Sequence, residues 1–178
     1  VLRVASMPVR PLALAARAPR VTPVISPSYL ATQEIAVAPE DIADAPEAPL
    51  SEEILGKAKE LGYDYVRIYE YVRNNIRSEW YTGSVKGALG AFRTGSANSV
   101  DQASLLVAMM RAAGAPARYV QGVAEVDVNS IASAAGLRDA TLVPDMLTRA
   151  GIAFSPVVQG GRVALVRIEH TWVTVQVP

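Results

Sequence analysis

Three groups of residues in this chain have types and positions suited to chemistry. The first is Asn98-Ser99, at the start of the apolar stretch NSVDQASLLVAMMRAAG. The first turn of a helix leaves backbone N–H groups unpaired and carries the positive end of the helix dipole. A nucleophile or an oxyanion is well placed there. Asn and Ser are equally the residues best suited to cap a helix, so capping is the competing role for both. The second is His170, the single histidine of the chain. It is either a general base or a hydrogen-bonded core residue on an apolar strand face. The third is the pair Trp80-Tyr81, which lines a groove or plugs the end of a helix.

The elements that must position these residues follow from pattern. Ser51 caps a helix with Glu52 and Glu53 in its first turn, running to about Leu61 and stopped by Gly62. Asp64 caps a second helix over DYVRIYEYVRNNIRSEWY, with Val66, Tyr69, Val72 and Ile76 as its buried stripe. TGSVKGALGAF is Gly-rich and reads as a loop. The helix that begins at Asn98 is apolar on most sides and is therefore expected to be buried on most sides, with Gly114 and Pro116 ending it. ARYVQGVAEV reads as a strand, VNSIASAAG and RDATLVPDMLTRAG as two short helices, and FSPVVQGGRVALVRIEHTWVTVQV as a hairpin about Gly160-Gly161. Alternation along its second arm places His170 on one face with Ile168 and Trp172. Helices, then a buried central helix, then antiparallel strands make an α+β pattern.

Composition narrows the functional classes. Of the 178 residues 51% are hydrophobic and 19% charged, enough apolar material for a core. Lys+Arg and Asp+Glu are both 17, so charge gives no case for nucleic acid or an anionic membrane as a partner. With no Cys and one His, the chain carries no disulfide, no thiol nucleophile and no Cys/His metal cluster. No run reaches the ~18 apolar residues of a membrane-spanning helix. Residues 1–50 hold 8 of the 12 prolines and no glycine. They read as an extended or unstructured lead-in, with the folded domain at 51–178. The chain begins with Val rather than Met, which reads as an excerpt of a longer protein.

The stretch SVDQASLLVAMMRAAGAPARYVQG, followed by HTWVTV, resembles the transglutaminase-like core of the papain-like superfamily. The match runs through Ala103, Leu105, Leu106, Met109, Met110 and Arg111, the Gly114, Pro116, Ala117, Arg118, Tyr119, Val120 turn, and then His170, Trp172, Val173 and Val175. The resemblance implies an α+β fold with the central helix packed on an antiparallel sheet. It also implies a catalytic Cys at the position of Ser99, His170 as base and acid, and no cofactor. The implied third residue, an Asp that orients the His, falls on a strand after Pro178. GSVKGAL and ANSVDQASLL further resemble the module of large bacterial YD-repeat (Rhs-type) proteins. That likeness implies a secreted or cell-surface location and a larger parent chain as partner.

Ser99 is the departure that matters. A helix dipole contributes about 0.3–1 kcal/mol, or about 2 at best, which moves a pKa by roughly 1–1.5 units. That suffices to bring a thiol near neutrality from about 8.5, but a serine hydroxyl needs His170 as a true general base. Ser99 is either native to a degenerate relative or a replacement of a catalytic Cys. Asp101 points about 200° away from Ser99 around the helix, and is expected to cap or to pair with Arg111 or Arg118. Three functions follow: a non-catalytic structural or binding module; an amide hydrolase or acyltransferase using Ser99 and His170; or a binder of an extended peptide along Trp80, Tyr81 and Trp172, with residues 1–50 as an internal occupant. No cofactor, metal, nucleic acid or membrane insertion is implied, and no acidic loop of the calcium-binding type is present.

Overall fold

Residues 2–5 and 36–177 are described by the computed structural model. Helix α1 (Glu52–Glu60) starts where Ser51 Oγ accepts the Ile54 amide at 3.4 Å, and Ile54 and Ala58, one turn apart, are its buried residues. Helix α2 (Tyr65–Asn75) starts where Asp64 accepts the amides of Val66 at 2.9 Å and Arg67 at 3.0 Å. Its buried stripe is Ile68 and Val72, flanked by Tyr65 and Tyr69, whereas Val66 is 65% exposed. The expected stripe was therefore out of phase at its start. The α2 helix also stops at Asn75. Strand β2 (Arg77–Ser78) instead pairs in parallel with β3 (Ser96–Ala97).

The Gly-rich segment between these strands is not the loop that its composition predicted. It forms helix α3 (Gly87–Thr94), closed by Gly95 in the left-handed conformation. Ala88 and Ala91 are buried on it, and the Ala88 amide donates to the Glu47 carbonyl at 2.9 Å. Small residues are what this site requires. A Cβ on Gly87 would stand 3.3 Å from the Glu47 oxygen, on a residue with φ of +59°. Helix α4 (Ser99–Ala112) follows at once and is buried continuously from Asp101 to Met110. The expectation of a helix enclosed on most sides holds, with α1, α2, α3 and the sheet packed around it.

Strands β4 (Ala117–Asp127), β5 (Phe154–Gln159) and β6 (Arg162–Gln176) make the antiparallel sheet. β6 is its centre. One edge pairs with β4 along its length; the other pairs with β5 at residues 162–168 and with β1 (Leu2–Ala5) at 173–176. The β5–β6 hairpin turns at Gly160-Gly161, both with positive φ, as the sequence predicts. Between β4 and β5 lie the two expected short helices, α5 (Val128–Ala135) and α6 (Val143–Arg149).

Two cores result, and β6 serves both. Val173 and Val175 join the core around α4, while Val166 and Ile168 join a second one with α5 and α6. Since these residues differ in parity along the strand, the cores lie on opposite faces of β6. Among the described residues no helix is long and apolar enough to cross a membrane.

Residues 36–50 pack on the domain rather than trail from it. Asp41, at the end of a 3₁₀ turn (Pro39–Asp41), is 3% exposed and pairs with Arg118. Arg118 also donates to the Ala36 carbonyl at 3.0 Å. Arg111 donates to the carbonyls of Asp41 at 3.1 Å and Ala43 at 2.8 Å, and Ala48 is fully buried. Replacing Asp41 with Ala removes a charge-assisted hydrogen bond from a buried position. We expect a loss of about 1.5–3 kcal/mol, seen in urea unfolding as a lower midpoint with an unchanged slope. An unchanged midpoint would mean that this strap adds nothing to stability.

Candidate functional site

The site is organised by the first turn of α4. Asn98 is 5% exposed and is the N-cap: its Oδ1 accepts the Asp101 amide at 3.0 Å. Its Nδ2 donates to the carbonyls of Tyr81 at 3.0 Å and Gly83 at 2.7 Å, and its own amide donates to Tyr81 Oη at 3.1 Å. Ser99 is the first helical residue and is half-buried. The capping role of Asn98 is thus filled by observed bonds, and Ser99 is not the residue that caps.

Asp101 does not pair with either arginine. Arg111 and Arg118 belong to the opposite end of α4, where they hold residues 36–43. Arg111 lies ten residues further along the helix, roughly 15 Å by helix rise. Asp101 is fully buried instead under the segment 81–87. One carboxylate oxygen accepts Tyr81 Oη at 2.6 Å, the Val85 amide at 3.1 Å and the Lys86 amide at 2.8 Å; the other accepts Ser84 Oγ at 2.6 Å and the Gly87 amide at 3.0 Å. Burial pushes this carboxyl up, but the bonds from Ser84, Tyr81, Lys86 and Val85 outweigh it and hold it below the ordinary carboxylate value. Burial, and then the bond to Asp101, push the Tyr81 phenol well above its ordinary value.

Lys86 extends this anchorage. Its Nζ pairs with Glu79 at 2.6 Å and donates to the Ser96 carbonyl at 2.8 Å. The hydrogen bonds from Lys86 and then Ser96 hold Glu79 below its ordinary value. Spacing alone carried no sign of this network. Three of the five donors to Asp101 are backbone amides, which every non-proline residue supplies.

His170 sits on β6, 8% exposed, directly across from Gly122 on β4. As predicted, it shares a face with Trp172; the ring centroids are 4.9 Å apart in an edge-to-face arrangement of 73°. By parity this is the face of the second core, whereas α4 packs on the other. The connection between the two is the Trp80-Tyr81 pair. Tyr81 is bound to Asn98 and Asp101 at the start of α4, and Trp80 packs in the second core with Ile168. Tyr81 is therefore tied into the anchor, with its hydroxyl fully engaged. The Trp80 Nε1–H is buried without a hydrogen-bond partner among the described residues. Of the lead-in, residues 36–50 pack toward the Arg111 and Arg118 end of α4 and onto α3, while residues 6–35, also read as an internal occupant, lie outside the described residues.

No curated protein and no solved structure matches this chain. A family model does: that of the transglutaminase-like superfamily, over residues 48–178. The matched span takes in the buried helix with Ser99 at its start, the sheet, and the strand that carries His170 and Trp172. With most of its length covered in this order, and with helices packed on an antiparallel sheet around α4, the chain belongs to the transglutaminase-like superfamily.

Proposed function

We propose that this domain has lost thiol chemistry and works by binding, as a module of a larger secreted bacterial protein of the YD-repeat type. The observation that carries the first half is the chemistry of the α4 start. Ser99 stands where acyl transfer in this superfamily calls for a thiolate, and the chain contains no cysteine. The helix dipole offers at most about 2 kcal/mol towards ionising a group there. The Asp101 carboxylate, charged at neutral pH and within the same turn, offsets part of even that. The YD-repeat setting rests on the likeness of GSVKGAL and ANSVDQASLL.

An extended peptide is the ligand class that this arrangement favours. Trp80, next to the Tyr81 that is bound at the α4 start, and Trp172, beside His170, each keep part of an aromatic surface open. The competing function, amide hydrolysis or acyl transfer through Ser99 and His170, draws support from the order of the two residues, Ser99 opening the buried helix and His170 on the later HTWV strand, within the span that the family model matches.

Transamidation and deamidation assays on the protein extended past Pro178 separate the two. The sequence as it stands and Ser99→Ala are expected to be silent alike, with Ser99→Cys acquiring turnover. Activity that disappears on Ser99→Ala would establish a serine enzyme and overturn the binding reading.

A further inference from the structure

We infer that Gly122 is a positioning residue for His170, acting through the Trp172 indole; the inference rests on His170 belonging to the site described above. Gly122 faces His170 across the β4–β6 ladder, and Val120 faces Trp172. Side chains on one face of such a pair also meet diagonally. The Trp172 ring uses that diagonal, leaning over Gly122 into the space where a side chain opposite His170 would stand. A Cβ built on Gly122 would lie 2.9 Å from Trp172 Cζ3 and 3.4 Å from Cη2. That is closer than real Cβ contacts, and the obstacle is a rigid ring rather than the end of a flexible chain.

The bare backbone at 122 therefore lets the indole sit low on the sheet. From there it presents itself to the imidazole at 73° with centroids 4.9 Å apart. His170 is 8% exposed, so a ring displaced from Gly122 has little free space to move through without disturbing it. Gly122 has no conformational need to be glycine: it lies within the β4 strand and its φ is not positive. Its requirement is the close approach of a neighbouring ring.

A single histidine makes the test direct, because the imidazole gives one set of proton–carbon cross-peaks. Gly122→Ala is expected to shift the His170 cross-peaks while the protein still unfolds cooperatively. Val123→Ala, at a neighbouring position that is 65% exposed on the opposite face of β4, is expected to leave them in place. In a Ser99→Cys background, Gly122→Ala should lower kcat by up to about hundredfold, the effect of a misplacement of about 1 Å, with KM little changed.

Combining Gly122→Ala with Trp172→Phe, whose smaller ring clears the added methyl, should return the cross-peaks and kcat towards their starting values. A folded Gly122→Ala protein with unmoved His170 cross-peaks overturns the inference. If Gly122→Ala does not fold, Trp172→Phe alone decides: altered contacts between the imidazole and β4 in nuclear Overhauser spectra support it, and unaltered contacts overturn it. The cross-peaks need no turnover. An inactive Ser99→Cys protein would thus count against the reading of the site alone, and the positioning role would still be decided.

Discussion

Replacing Asp101 with Asn is expected to lower stability by about 2–5 kcal/mol, because each buried donor left without its acceptor costs about 1–3 kcal/mol and at least two lose theirs. The side chain keeps its size, but one oxygen that now accepts bonds becomes a donor aimed at other donors. Either Tyr81 Oη with the Val85 and Lys86 amides, or Ser84 Oγ with the Gly87 amide, loses its acceptor. Domains of this size are stable by about 5–15 kcal/mol, so the loss is a large fraction. Urea unfolding measures it, and amide exchange in residues 84–87 should accelerate most. A midpoint within the error of the unsubstituted protein would refute the anchoring role. A pH dependence follows. Because folding depresses the Asp101 pKa, the unfolded chain binds more protons than the folded one just below the ordinary aspartate value. The stabilisation is fully present above about pH 4, and it is lost as pH falls through the lower folded value. Asp101→Asn should flatten stability against pH in that acid range.

Leu106→Ala is expected to cost about 2–5 kcal/mol, the range for emptying a well-packed leucine site. Leu106 is fully buried in the core where α1, α2, α3 and the sheet meet α4, so no neighbour opens to solvent to relieve the cavity. Leu55→Ala on α1, where the side chain is 40% exposed, provides the contrast and should stay within about 0.5 kcal/mol. Thermal or urea unfolding of the two variants side by side checks the difference. Equal effects would mean that α4 is not the packing centre of the domain.

How much of this was legible in the sequence depends on what kind of interaction made each element. The course of α4, the caps at Ser51 and Asp64, and the hairpin at Gly160-Gly161 were legible, because local pattern and local stereochemistry determine them. The α+β class followed from their order. Helix α3 was missed because its glycines argue against a helix, while the force that makes it one is tertiary: Ala88 and Ala91 fill a close contact and Glu47 supplies an acceptor forty-one residues upstream. The phase of α2 was misjudged at Val66 because two apolar stripes compete on that helix, and packing chose Ile68. At the candidate site, the places of Ser99 on a helix start and of His170 beside Trp172 were legible. The partners of Asp101 were not, since backbone amides are invisible to a reading of side chains. The same holds for Gly122, whose role is defined only by a ring on another strand.

The central position of β6 has a consequence for how the chain comes into being. Each of its partners, β1, β4 and β5, precedes it in sequence. Synthesis proceeds at about 5–20 residues per second, so roughly sixty residues from Ala117 to Gln176 amount to about 3–12 s in which β4 exists and β6 does not. The helices α1 to α4 can gather during that interval, for their contacts are close in sequence. The face of α4 destined for Val173 and Val175 stays uncovered until β6 is made. This domain is therefore built as a helical half that waits with an apolar side open, and its vulnerability to misassembly is concentrated in the seconds before β6 arrives.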